Sequence, residues 1–326
     1  MKKNIPYDGI SSRIELASLL LSSGDLVAFP TETVYGLGAN ALSDSAVAAI
    51  YAAKGRPSFN PLIVHVASAL EAKKYVEWND NAQELSRHFW PGPLTLVLPR
   101  KKNCLLSLLV SAGLDSVAIR VPEHPIALAL LEKSMLPIAA PSANISGHVS
   151  PTLAEHVISE FGDKVKIVLD GGACEVGIES TIVDLTGDNV SILRHGKITR
   201  EDMEKFVRLR ADNSQTVKAP GMLKSHYAPK ANMRLNAADI KDGEMLLAFG
   251  KPLAGAKLTQ NLSESGNLDE AAANLFRMLR LLDAANPETI AVMEIPQQGL
   301  GIAINDRLSR AAAPKKYKWS LGQPES

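Results

Sequence analysis

The sequence predicts an α/β protein of two unequal units, and three observations carry that expectation. Short apolar runs rich in β-formers alternate with stretches of helical spacing. The chain has 326 residues, more than one ordinary domain needs. Its composition turns polar and proline-punctuated over residues 211–230 before a second alternating pattern begins. The predicted organisation is a larger unit over residues 1–208, a proline-punctuated linker over 209–232 placed to fold back as a lid, and a small α/β unit over 233–326. With apolar residues at 46% and charged residues at 21%, both units have material for a core.

The elements follow in chain order. Ile14, Ala17, Leu20 and Leu21 recur at helical spacing over 11–22, and Gly24-Asp25 breaks into a strand over 26–30. Thr31, Glu32 and Thr33 then present oxygens where a strand ends, the usual place for ligand contacts in an open α/β sheet. Gly36 and Gly38 are expected to let the backbone approach a ligand. Ser43 reads as the N-cap of a helix ending near Lys54-Gly55, and residues 62–66 alternate as a strand carrying His65. One or two helices over 68–90 and the turn Trp90-Pro91-Gly92-Pro93 precede a strand over 94–98. The strand over 116–121 places Ser116, Ala118 and Arg120 on one face. A helix over 124–131, a strand over 136–140, the small polar loop 141–150, a helix over 152–161 and strands over 167–169, 177–184 and 191–194 complete the first pattern, with a helix about 201–208. In the second unit, strands over 245–249 and 290–293 flank an amphipathic helix over 269–284, and residues 299–313 return to helical spacing.

Formal net charge is zero, and residues 1–200 hold 18 basic against 20 acidic side chains, so no segment is a nucleic-acid tail. Any RNA contact would be weak and come from a local patch. Cys104 and Cys174 have neither disulfide nor zinc-site spacing. No apolar run of membrane-spanning length occurs, and a cytoplasmic protein is expected.

Several charged residues admit two readings. Lys54 either complements a helix C-terminus or meets an anion. Gly55 and Pro57 fix the turn around Arg56, and Ser58 and Asn60 lie in the same loop without a capping task, which favours anion binding there. Arg120 needs an anionic partner on so apolar a strand, either a protein carboxylate or a ligand carboxylate. His65 is a packed strand histidine or a site residue. No phosphate-binding Gly-x-x-x-x-Gly-Lys-Ser/Thr loop, Gly-x-Gly-x-x-Gly fingerprint, nucleophile elbow, HExxH or kinase set occurs. What is left is a cleft of hydroxyls, a histidine and separated cations, suited to a nucleoside triphosphate beside a small carboxylate, with catalysis by positioning and charge neutralisation.

The ordered set of residues 29–38 (Phe-Pro-Thr-Glu-Thr-Val-Tyr-Gly-Leu-Gly), Lys54-Gly55-Arg56, Pro141-Ser142-Ala143-Asn144 and Glu179-Ser180-Thr181 resembles the YrdC-like family. With the linker and the small second unit, the chain is similar to that family's two-domain L-threonylcarbamoyladenylate synthases. The resemblance implies a twisted open mixed sheet with helices and a small C-terminal Rossmann-like α/β domain. It implies a nucleotidyltransferase that joins L-threonine, bicarbonate and ATP into threonylcarbamoyl-AMP and pyrophosphate, with Mg2+ entering with ATP, and a downstream transferase that modifies adenosine 37 of tRNAs reading ANN codons. It places L-threonine at Thr33, His65, Arg120, the backbone of Ala140, and Ser180. ATP falls at Arg56, Asn60, Ser116, Ser142, Ser150 and Arg194, with Tyr227 reaching in from the linker. Lys54 and Arg56 are then expected to stabilise phosphate charge. Two rivals are a double-stranded RNA or tRNA-binding module without catalysis and a carbamoyl-phosphate enzyme of the hydrogenase-maturation type. The chain lacks the latter's zinc-finger-like cysteines.

Overall fold

Residues 9–210, 219–220 and 226–314 are described by the structure, a computed structural model. Of the expected linker, 211–218 and 221–225 lie outside the described residues. The larger sheet comprises β1 (Val27–Phe29), β2 (Gly36–Asn40), β3 (Ile63–His65), β4 (Leu94–Pro99), β5 (Ser116–Arg120), β6 (Ile138–Ala139), β7 (Ile167–Val168), β8 (Thr181–Asp184), β9 (Val190–Arg194) and β10 (Leu209–Arg210). Their order across the sheet is β10, β9, β8, β4, β5, β3, β6, β2, β1, β7. The sheet is mixed: β3 runs parallel to β5 and β4 to β8, while β4–β5, β3–β6 and β1–β2 are antiparallel.

Both faces are covered, which the near-continuous apolar strands require. Val27 and Phe29 pack with Leu21 of α1 (Ile10–Ser22) and Leu130 of α5 (Pro125–Ser134). Ala28, pointing the other way, joins a core with Ile50 of α2 (Asp44–Lys54), Leu85 of α4 (Asp80–Phe89) and Val157 of α6 (Ala154–Phe161). The short helix α3 (Ala69–Ala72) lies between α2 and α4 in the chain. The predicted start and stop of α2 hold: Ser43 accepts from the Ala46 N–H, and Gly55 closes the helix at φ 59°.

The smaller sheet is parallel throughout, in the order β11 (Asn232–Arg234), β14 (Thr289–Val292), β12 (Met245–Ala248), β13 (Thr259–Asn261). Helices α8 (Leu268–Ala284) and α9 (Leu300–Ala312) bury Leu275, Phe276 and Ile304 against it. Among the described residues no helix is long and apolar enough to cross a membrane.

The structure departs from the sequence reading at four places. Gly38 lies in β2, where a Cβ would fall 2.8 Å from the Phe29 ring and 2.9 Å from Ile138, so its bare backbone serves core packing rather than ligand approach. The strand expected over 177–184 begins at Thr181, leaving Glu179 and Ser180 in the loop before it. The helix expected over 201–208 is the single turn α7 (Arg200–Met203), held by a capping box between Thr199 and Asp202. The edge strands β11 and β13 are short and polar and give little apolar alternation.

Candidate functional site

One cavity opens above the centre of the larger sheet, where β3, β5 and β6 meet the 31–36 turn, the 141–142 loop, the 179–180 loop and residues 226–227. The turn is built by Thr31, whose hydroxyl receives the N–H groups of Thr33 and Val34 and contacts the Thr33 hydroxyl at 2.8 Å. Parallel pairing of β3 with β5 sets His65 opposite Arg120. Burial, reinforced by the Arg120 charge, pushes the His65 imidazole down to about 3, so it is neutral near pH 7. Its Nδ1 has no hydrogen-bond partner among the described residues.

Arg120 has the protein carboxylate that its strand position demanded. It is ion-paired with Glu32, donates to the Thr33 hydroxyl at 3.0 Å and to the Gly92 carbonyl at 3.0 Å, and all three side chains are buried. The other two arginines of the cavity are different. Arg56 donates to the carbonyls of Asn60 (3.0 Å) and Pro61 (2.8 Å). Arg194 donates to the Ser180 carbonyl (3.0 Å), the Ser180 hydroxyl (3.1 Å) and the Pro220 carbonyl (3.2 Å). Both are buried, and among the described residues neither has a carboxylate within ion-pair distance. Burial lowers the Arg56 pKa to about 10 and that of Arg194 in the same direction, yet both remain cations at neutral pH. Two uncompensated buried charges facing one space form an anion site.

The structure sorts the residues expected at the site. Thr33, Arg56, His65, Arg120, Ala140, Ser142, Ser180, Arg194 and Tyr227 line the cavity. Lys54 does not: its buried ammonium is hydrogen-bonded to the carbonyls of Ser142 (2.6 Å) and Asn144, so it holds the 141–144 loop in place rather than facing the cavity. Burial holds its pKa well below the ordinary lysine value. Asn60 lies behind Arg56, presenting its carbonyl to that guanidinium, while its side-chain amide has no partner among the described residues. Ser150 is one step removed, donating to Glu179 at 2.5 Å. Ser116 begins β5, four residues from Arg120, which puts it roughly 13 Å along the strand. The Ala140 N–H is engaged with the Ile63 carbonyl at 2.9 Å.

Thr95, Glu179 and His226 are site residues that sequence reasoning gave no role. Thr95 is fully buried in β4, in register with Ile182 of β8, and contacts the Ser180 hydroxyl at 2.8 Å, a neighbour that alternation within its own strand could not reveal. Glu179 and His226 line the cavity, and only the docking of the second sheet brings His226 there. Its N–H donates to the Arg310 carbonyl in α9, and Tyr227 stacks on Phe276 of α8 at 5.4 Å.

The family profile Sua5/YciO/YrdC, described as telomere recombination, matches residues 19–196, and the profile for the threonylcarbamoyl-AMP synthase C-terminal domain matches 198–313. The chain belongs to the Sua5/YciO/YrdC family. A threonylcarbamoyl-AMP synthase of Pyrococcus abyssi is 41% identical over 94% of this chain and 96% of its own length. One from Bacillus subtilis is 39% identical over 92% of this chain and 93% of its own. The crystal structure of P. abyssi Sua5 complexed with L-threonine superposes with a TM-score of 0.86, at 40% identity, covering 93% of this chain and 94% of that one. Escherichia coli YciO, at 23% identity and a TM-score of 0.51, shares the fold of the larger unit. The first profile thus covers most of the larger sheet and the second covers the smaller one.

Proposed function

We propose that this chain is a threonylcarbamoyl-AMP synthase, an adenylyl-transferring enzyme that makes threonylcarbamoyl-AMP and pyrophosphate from L-threonine, bicarbonate and ATP. The observation that carries the reading is the cavity with two buried guanidiniums that have no carboxylate partner among the described residues, in a chain whose full-length relatives bear that name. Arg56 and Arg194 supply charge for the phosphates, and Ser142 lies on the same wall. Thr33, His65, Arg120, Ala140 and Ser180 form the L-threonine side, where the Glu32–Arg120 pair orders the Thr33 hydroxyl. Neutral His65 leaves an imidazole able to accept a hydrogen bond or a proton.

The chemistry balances without a covalent enzyme intermediate. Bicarbonate gives up its hydroxide, which leaves as water with a proton from the L-threonine amine, and the amine nitrogen bonds to the CO2 carbon to give a carbamate. A carbamate oxygen then attacks the α-phosphorus while the bond to the β-phosphate oxygen breaks and pyrophosphate leaves. Arg56 and Arg194 stabilise charge on the phosphates, catalysis by positioning and electrostatics. Among the described residues no group of three histidine, cysteine or acidic side chains is placed to hold a metal, and the Glu32 and Glu179 carboxylates are both engaged. Mg2+ is therefore proposed to enter as part of the MgATP substrate, on phosphate oxygens and water. Tyr227, buried over the cavity, is proposed to close it against water once nucleotide is in place. The product is proposed to pass, in the cytoplasm, to the transferase that modifies tRNA. The RNA-binding alternative is not favoured, because the guanidiniums of Arg56 and Arg194 are buried in the lining of a cavity and do not form an exposed patch.

Pyrophosphate release from MgATP, followed with and without L-threonine and bicarbonate, tests the reading. Release that requires both co-substrates is expected. Release indifferent to L-threonine, or none, would overturn it.

A further inference from the structure

Glu179 is the acidic side chain nearest to defeating the anion site. It lines the cavity, and it lies close enough to Arg194 for the two charges to influence each other's ionisation. Yet the two do not pair, because both carboxylate oxygens are held elsewhere. Oε1 accepts from the Ser150 hydroxyl at 2.5 Å, and Oε2 accepts from Arg307 Nε at 3.2 Å.

Arg307 belongs to α9 of the smaller unit and crosses to the larger one. It is 1% exposed, the bulkiest fully buried side chain among the described residues. Beyond Glu179 it donates to the His195 carbonyl, immediately after Arg194, and its guanidinium carbon lies 5.8 Å from the Tyr227 ring centre. Its Nη2 has no hydrogen-bond acceptor among the described residues, which suits a cation lying over an aromatic ring. The contact is fixed by close docking of the two units: Gly177, at φ 73°, has no room for a Cβ against the backbone of Ala273 in α8. Arg280 of α8 adds a second tether, bonding the Val149 carbonyl and Glu160. Asp306 also approaches Arg307, at 3.4 Å, but is itself shared with Arg310 at 2.9 Å.

We infer that Arg307 is a positioning residue, a cation lent by the C-terminal unit that pairs with Glu179 so that Arg194 is left uncompensated for the nucleotide phosphates. The inference rests on the nucleotide reading of the cavity. Without Arg307, the Glu179 carboxylate turns to the nearest remaining guanidinium, and Arg194 is neutralised from within. Removal of the carboxylate at the same time restores Arg194 to the ligand. Charge logic of this kind separates a positioning role from a structural one, because a structural loss is not repaired by a second substitution.

The test is calorimetric titration of a non-hydrolysable ATP analogue and of L-threonine into the full-length protein, as wild type, Arg307→Met, Arg307→Lys and Arg307→Met with Glu179→Gln. Arg307→Met is expected to weaken the analogue by about tenfold or more while leaving L-threonine within about threefold. The double variant, which removes the carboxylate together with its partner cation and so strands no new charge, is expected to recover most of that loss. Arg307→Lys keeps a cation opposite Glu179 and is expected to stay within about threefold for the analogue, which preserves the test if Arg307→Met does not fold. Unchanged analogue affinity in Arg307→Met, or a double variant no better than the single, overturns the inference alone. A wild type that binds no nucleotide overturns the cavity reading and the inference together.

Discussion

Arg120 and Arg194 reach the same cavity from strands of one sheet, yet only Arg120 has a carboxylate bonded to it. The pair with Glu32 makes Arg120 a fixed dipole that orders the Thr33 turn. Arg194, bonded among the described residues only to neutral oxygens, is left to pair with whatever enters. A buried arginine is therefore evidence for an anionic ligand only when its protein partners are counted, because a guanidinium fork fits a side-chain carboxylate as well as a substrate's.

The comparison is broken most decisively at Arg120. Arg120→Met strands a buried carboxylate, and urea denaturation should show a loss of about 3–5 kcal/mol, whereas Arg194→Met, which strands none, should change stability far less. Equal losses would erase the distinction. Affinity should separate the two in the other direction: Arg194→Met and Arg56→Ala are each expected to weaken nucleotide binding about 10- to 100-fold, the scale of a lost charge-assisted contact. An ATP analogue titration reads this directly.

The acid limb of stability sharpens the contrast further. His65 is buried neutral beside Arg120, with its folded pKa depressed to about 3 from an ordinary 6.5. Between those values the unfolded chain binds the proton and the folded chain does not, so the contribution is complete above pH 6.5 and is lost as pH falls toward 3. The slope is up to about 1.4 kcal/mol per pH unit for this one group. Chemical denaturation across pH 4–7 should show a flatter limb in His65→Gln than in wild type. His226, also buried and depressed to about 3, should add a like slope, removable separately. The smallest effect is expected where the two units meet in water. Lys197 and Asp269 pair at an exposed position, and Asp269→Asn should shift stability by no more than about 1 kcal/mol, against the large effect of the buried Arg307–Glu179 pair.

Local signals in the chain were enough for much of the fold. Ser43 and Gly55 bracket α2, the alternation of 62–66 marks β3, and the amphipathic run of 269–284 marks α8. They failed where a residue's environment comes from afar. Gly38 reads as a glycine that lets the backbone approach a ligand and is instead a strand glycine over which Phe29 and Ile138 close. Lys54 admits two readings in the chain, a complement to the helix end or an anion contact, and the fold turns its ammonium under the 141–144 loop, onto the Ser142 and Asn144 carbonyls.

The sequence by itself determined the α/β class, the two units and the ordered motifs, because capping, turn chemistry and alternation act over a few neighbouring residues, and it named most residues around the cavity only through the family resemblance that those motifs carry. Only the tertiary structure decided which of those residues are free to act. Whether Arg120, Arg194 or Arg56 carries its charge to a ligand depends on Glu32, Glu179 and Arg307, whose positions are set by strand pairing and by the docking of α9, and Coulomb interactions follow distance in space rather than distance along the chain.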